Sequence, residues 1–140
     1  MIILDTNVLS EFMRPKPAPE VVAWAVKYPA TDFFTTAITE AEIFLGIELL
    51  SKGKRRKGLM AAAEAMFAED FAGRVLGFES EAARVYSRIA AQRRALGKPI
   101  SHADAQIAAI VRVLGAKLAT RNVSDFANCS LEIVDPWNES

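Results

Sequence analysis

The sequence predicts an α/β fold built on a mostly parallel sheet. Short apolar runs alternate with longer stretches of helical spacing, and the residues that break helices fall between them. Strands that alternate with helices in this way favour a layered structure in which each helix crosses back over the sheet. The first apolar run also ends abruptly on an acid, Asp5, which places a carboxylate at a strand tip, where open α/β folds hold their ligands.

Ile2-Ile3-Leu4 is short, apolar and largely β-branched, as a buried strand requires. A first helix is expected around Val8 to Met13. Pro15, Pro17 and Pro19 break the chain, and Pro19 is placed to open a second short helix through Val22, Trp24 and Val26. Phe33 to Thr36 is the next strand. Thr39 through Leu50 is helical by spacing, with Ile43, Ile47 and Leu50 on one face and Leu45 and Leu49 beside them. Gly53 to Gly58 reads as a basic loop, and the alanine-rich stretch Leu59 to Phe67 as a further helix. Arg74 to Phe78 is a short strand, and a long helix from Glu81 to Leu96 ends at Gly97 and Pro99. Ser101 to Leu114 is a helix with Gly115 as its stop, and Lys117 to Thr120 and Leu131 to Val134 are the last strands.

With 140 residues, the chain suffices for one domain, expected to span 1–140, and is short for two. An apolar fraction of 51% with 24% charged residues suits a globular protein. No apolar run approaches the roughly 20 residues that cross a bilayer. No basic region precedes the N-terminal apolar residues, so a cytoplasmic location is expected. Cys129 is the only cysteine, which excludes an internal disulfide and a cysteine-built metal site. A formal net charge of zero excludes nucleic-acid binding through bulk charge alone. Two local clusters remain, Lys52 to Lys57 and Arg93, Arg94 and Lys98, and a solvated helix end or loop is the plain explanation for both.

Four acids stand where a strand tip or a helix start is expected: Asp5, Glu42, Asp104 and Asp125. Thr39-Glu40-Ala41-Glu42 and Ser101-His102-Ala103-Asp104 also have the form of capping boxes, so Glu42 and Asp104 have a structural explanation as well. The two roles are compatible, because helices that follow parallel strands begin at the strands' C-terminal edge. Convergence would be costly. Two carboxylates about 4 Å apart repel by about 4 kcal/mol at an effective dielectric near 20. A helix N-terminus returns only about 0.3 to 1 kcal/mol for each. Protons, basic side chains or a cation must supply the difference. Hard oxygen donors without cysteine and with one histidine select Mg²⁺, with Mn²⁺ as the alternative, over zinc. Such an ion suits phosphodiester hydrolysis. No Gly-rich loop follows the first strand, against a P-loop or dinucleotide site, and one His with one Cys gives no nucleophilic triad.

Ile3-Leu4-Asp5-Thr6-Asn7-Val8, Thr39-x-x-Glu42-x-x-x-Gly46-Ile47, Ser101-x-x-Asp104-x-x-Ile107-Ala108 and Thr120-Arg121-Asn122-x-x-Asp125-Phe126 together resemble PIN-domain proteins. The likeness is to VapC-type toxins of type II toxin-antitoxin pairs, including their FitB-like branch, and it covers nearly the whole chain in order. It implies a three-layer fold around a central, mostly parallel sheet of four to five strands. It also implies a Mg²⁺-dependent endoribonuclease whose acids are Asp5, Glu42 and Asp104, a homodimer, and inhibition by a small cognate antitoxin with a DNA-binding domain. Many such proteins carry an aspartate where this chain has Asn122, and Asp125 either replaces that charge or shapes the loop.

The likeness implies that Thr6 and Asn7 support Asp5, with capping of the first helix as their plain alternative, and Thr120 is placed to bond a carboxylate or simply to end a strand. Arg121 is the best phosphate contact, ahead of Arg93 and Arg94. His102 is expected to face solvent without a catalytic role. Gly46 costs about 1 kcal/mol inside a helix, which predicts a close helix contact. A competing class is a PIN-like RNA-binding or regulatory module that has lost turnover, which Asn122 would mark. An aspartyl-phosphate phosphatase ranks lower, because Asn7 stands where its second aspartate belongs.

Overall fold

The computed structural model describes residues 1–139. Strand β1 (Ile2–Leu4) is followed by α1 (Thr6–Phe12), α2 (Pro19–Ala25), β2 (Phe33–Thr36), α3 (Ala37–Glu48) and α4 (Lys54–Ala65). Then come β3 (Val75–Leu76), α5 (Ser80–Ala95), α6 (His102–Leu114), β4 (Lys117–Ala119) and β5 (Glu132–Val134). The five strands form one sheet in the order β3-β2-β1-β4-β5, and every pairing is parallel.

Alternation along β1 divides the core. Ile2 and Leu4 face Val8, Leu9, Trp24, Ile43, Ile47, Ala63 and Phe67 on the side of α1 to α4. Ile3 faces Ile89, Ile107, Ala108, Val111 and Phe126 on the side of α5 and α6. Side chains that alternate with period two thus give the central strand two buried faces, and the molecule three layers.

The order matters for function. β2 and β3 lie to one side of β1, and β4 and β5 to the other. Connections leaving β1 and β4 therefore diverge, opening a crevice at the C-terminal edge between them, the switch point at which α/β sheets bind ligands. Register places Leu4 beside Ala119, so the next residues, Asp5 and Thr120, are neighbours at that crevice.

Three expectations need correction. Helix α3 starts at Ala37 and is capped by Thr36, whose hydroxyl accepts the Thr39 N–H at 3.1 Å. Glu42 therefore lies beyond the first turn and is not a capping acid. The basic segment after Gly53 is the first turn of α4 and not a loop. Packing of Leu59, Met60 and Ala63 against the core holds that helix although its basic residues oppose its dipole. Gly46 makes no close helix contact, since a Cβ there would meet nothing within 4 Å.

Candidate active site

Asp5 is 4% exposed and caps α1. Its Oδ1 accepts the Thr6 N–H at 2.9 Å, and its Oδ2 accepts the Thr120 hydroxyl at 2.7 Å and the Asn7 amide at 3.2 Å. Burial pushes the Asp5 carboxyl up from its ordinary range and the charge of Glu42 adds to this, while the bonds from Thr120, Thr6 and Asn7 pull it back. Asn7 also donates to the Thr120 hydroxyl at 3.2 Å and accepts the Arg121 N–H at 3.0 Å through Oδ1. Thr120 in turn accepts the Asn122 N–H at 3.1 Å. The tips of β1 and β4 are therefore joined through one carboxylate.

Glu42 reaches the same mouth from α3, where its Oε1 accepts the Thr6 hydroxyl at 2.6 Å. Thr6 also shares a 3.2 Å bond with the Thr39 hydroxyl, so the motif threonine of α3 orients the threonine of α1. Asp104 approaches from the first turn of α6, whose cap Ser101 accepts the Asp104 N–H at 3.1 Å. Its carboxyl is pushed up to about 6, first by desolvation and then by the charges of Asp5, Asp125 and Glu42, against the bond from Ser101. Three of the acids therefore act on the carboxyl of the fourth. Asp125 itself is exposed in a one-turn segment (Val123–Phe126), and Asn122 meets the site through its main-chain N–H.

Among the described residues, no three of His, Cys, Asp and Glu stand close enough to form a closed metal-ligand set. The donors are hard oxygens spread around an open mouth. That suits Mg²⁺, which keeps several waters and takes one or two carboxylates, better than an ion that needs a protein cage.

Other candidates fall away. Arg93 is 5% exposed and is no phosphate contact: its guanidinium donates to the carbonyls of Lys98 at 2.7 Å, Asp125 at 2.8 Å and Ala127 at 3.0 Å. It ties the Asp125 segment to the end of α5, a role with no signal in the sequence. His102 is exposed, and its Nδ1 meets the Tyr86 hydroxyl at 2.5 Å on the α5 side. Glu11, also buried, was not foreseen. It accepts the Ala18 N–H at 2.7 Å, and that bond, with those from Arg14 and the charges of Arg14 and Arg121, holds its carboxyl low. Beside Glu42 opens a groove of about 480 Å³, lined in part by Ile43, Gly46, Arg55 and Leu59.

A five-stranded parallel sheet with acids gathered at its switch point defines a class, and the PIN domain family matches residues 2–129. The chain belongs to the PIN-domain family, and within it to the VapC and FitB group. It is 38% identical to Toxin FitB of Neisseria gonorrhoeae over 139 residues, covering 99% of this chain and 100% of that one. A VapC ribonuclease of Sinorhizobium fredii is 39% identical over 137 residues, covering 98% of each. The crystal structure of FitAcB from Neisseria gonorrhoeae superposes with a TM-score of 0.91 over 99% of this chain and 100% of that one, at 38% identity. The structure of FitAB bound to a DNA fragment gives a TM-score of 0.92 at 38% identity over 100% of this chain and 98% of that one.

Proposed function

We propose that the protein is the toxin of a type II toxin-antitoxin pair and acts as a Mg²⁺-dependent endoribonuclease. The observation that carries this reading is the gathering of acids at the switch point, where Asp5 is fixed by Thr6, Asn7 and Thr120, Glu42 is joined to the same Thr6, and Asp104 lies close enough to feel the charges of both. Such mutual repulsion at a switch-point crevice calls for a cation. Asp5, Glu42 and Asp104 would hold Mg²⁺, or Mn²⁺ in its place, one or two of them directly and the rest through the waters the ion keeps, with Asp125 adding charge in a position where Asn122 brings none. When bound, the ion polarises the phosphodiester, lowers the pKa of an attacking water and stabilises the leaving oxygen.

The chain's own residues prepare the site. Thr120, Asn7 and the Thr6 N–H fix the Asp5 carboxylate in one rotamer, and the Thr6 hydroxyl aims Glu42. Burial keeps water from the back of Asp5, which strengthens its pull on any cation at the front. Arg121, exposed between Thr120 and Asn122, offers a positive charge to the substrate backbone at the rim. The relatives solved as FitAB bound to DNA and as FitAcB support a small cognate antitoxin with a DNA-binding domain as partner, and the family likeness implies a homodimer as the toxin unit.

Purified protein should cleave single-stranded RNA with Mg²⁺, leaving a 5′-phosphate and a 3′-hydroxyl. Asp5→Asn and Asp104→Asn should each lose at least about 100-fold, since a misplaced or missing charge at such a site costs several kcal/mol. Equal activity in the mutants would remove the proposal. The second reading, an RNA-binding module without turnover, is favoured only by Asn122. Mn²⁺ titration separates the two, because an intact acid site binds the ion and a degenerate one does not.

A further inference from the structure

Trp137 lies in the tail after β5, and its ring meets Arg121 of the turn that follows β4. The Arg121 guanidinium sits over its ring, 4.7 Å from the centroid. The ring itself is fixed. It packs against the core cluster that contains Val134, and its main-chain N–H donates to Asp135 Oδ1 at 3.0 Å. Asn138 donates to Asp135 through its main chain at 3.0 Å and through its side chain to Oδ2 at 2.7 Å, so the Asp135 carboxylate is engaged within the tail.

Both ends of Arg121 are therefore held, the main chain by Asn7 Oδ1 and the guanidinium by the indole. Its charge is felt by Glu11, yet its guanidinium donors make no hydrogen bond among the described residues. Among the described residues its guanidinium makes no ion pair, whereas the Arg93 guanidinium is filled by carbonyls. An exposed arginine that is held in place, has open donors and borders an acidic mouth is suited to an anion that must approach that mouth. We propose that Trp137 is a positioning residue that aims Arg121 at an RNA backbone phosphate beside the acid cluster. The proposal rests on the ribonuclease reading for its substrate.

Its test is steady-state cleavage of a short single-stranded RNA with Mg²⁺ by Arg121→Ala, Arg121→Lys, Trp137→Ala, Trp137→Phe and the double alanine variant. Arg121→Ala and Trp137→Ala should each raise KM about five- to tenfold with kcat within about twofold, the size of one lost phosphate contact. The double variant should be no worse than Arg121→Ala, and Trp137→Phe should stay near wild type because it keeps a ring face. Loss of one phosphate contact should also flatten the dependence of log(kcat/KM) on log[salt] by about 0.7 in Arg121→Ala, and Arg121→Lys should restore it. Unchanged KM in both single variants, additive effects, a loss confined to kcat or an unaltered salt slope overturns the proposal and leaves ribonuclease activity standing. If Trp137→Ala does not fold, Trp137→Phe and the change in tryptophan emission on Arg121→Ala test the contact.

Fluorescence anisotropy with the same RNA keeps the two readings apart. Binding weakened equally by Arg121→Ala and Trp137→Ala, in a protein that does not cleave, supports the positioning role and ends the ribonuclease reading. Wild-type protein that neither binds nor cleaves ends both.

Discussion

Asp104 is held by two influences that oppose each other: Ser101 fixes its main chain as a helix start, while burial first, and then Asp5, Asp125 and Glu42, make its charge unwelcome. With its carboxyl raised from 3.8 to about 6, the folded state binds a proton more tightly than the unfolded chain. The stability this gives is full below about 3.8 and is lost as pH rises through about 6. In chelator at pH 8, Asp104→Asn should therefore melt higher than wild type, and at pH 4 the two should coincide. A gain on the order of 1 kcal/mol is expected, less than such a shift would give in full, because the carboxyl is half-buried and water screens its neighbours. Thr120→Val removes the 2.7 Å bond to Asp5 and should weaken Mn²⁺ binding about tenfold by titration calorimetry. Unchanged affinity would exclude Thr120 from supporting the site. Asp5 and Thr120 were legible as strand ends, and the contacts of Thr6 and Asn7 with Asp5 were suggested by the family likeness, with helix capping as the alternative. Trp137 and Arg93 were not, because a ring in the tail and a guanidinium among carbonyls find their partners only once distant loops have met.

The elements show the same division between local and distant causes. Phe33 to Thr36 and the stop at Gly115, with φ 61°, follow from local chemistry, and the structure has both where the sequence placed them. Helix α3 begins earlier than expected because Thr36 and Thr39 both suit a cap, and only the buried end of β2 decides between them. The first turn of α4 was hidden because Gly53 and four successive basic residues argue locally against a helix start, while the apolar face that pays for it lies further on. Lys54→Glu places a favourable charge at that N-terminus and should stabilise the protein by about 0.3 to 1 kcal/mol at low salt, a gain that denaturant melts should show fading in 1 M salt. Gly46 is exposed within α3 with open space around it, so Gly46→Ala should stabilise by about 1 kcal/mol. A destabilised variant would show that the glycine relieves a contact after all.

Taken as a whole, the molecule gathers its acids where the sheet reverses its order, so residues from opposite ends of the chain share one electrostatic fate. Helix and strand periodicity foretold the parallel sheet, but the order β3-β2-β1-β4-β5, which makes Asp5 and Thr120 neighbours, depends on long-range pairing that local patterns do not encode. On the proposed metal-dependent reading, this arrangement couples ion binding, pH and fold. A cation that binds only the folded acids should stabilise the protein by about 2.7 kcal/mol at a concentration 100 times its Kd. For a chain of this size that is an upward shift in Tm on the order of 10 °C. Because protons compete for Asp104, the Mg²⁺ shift should be full at pH 8 and shrink through pH 6, the pH at which its carboxyl titrates. Asp5→Asn should lose the shift at every pH, since its buried oxygen anchors both sides of the crevice. A Mg²⁺ shift of equal size in Asp5→Asn and wild type, followed by scanning calorimetry from pH 5 to 8, would place the ion elsewhere on the molecule.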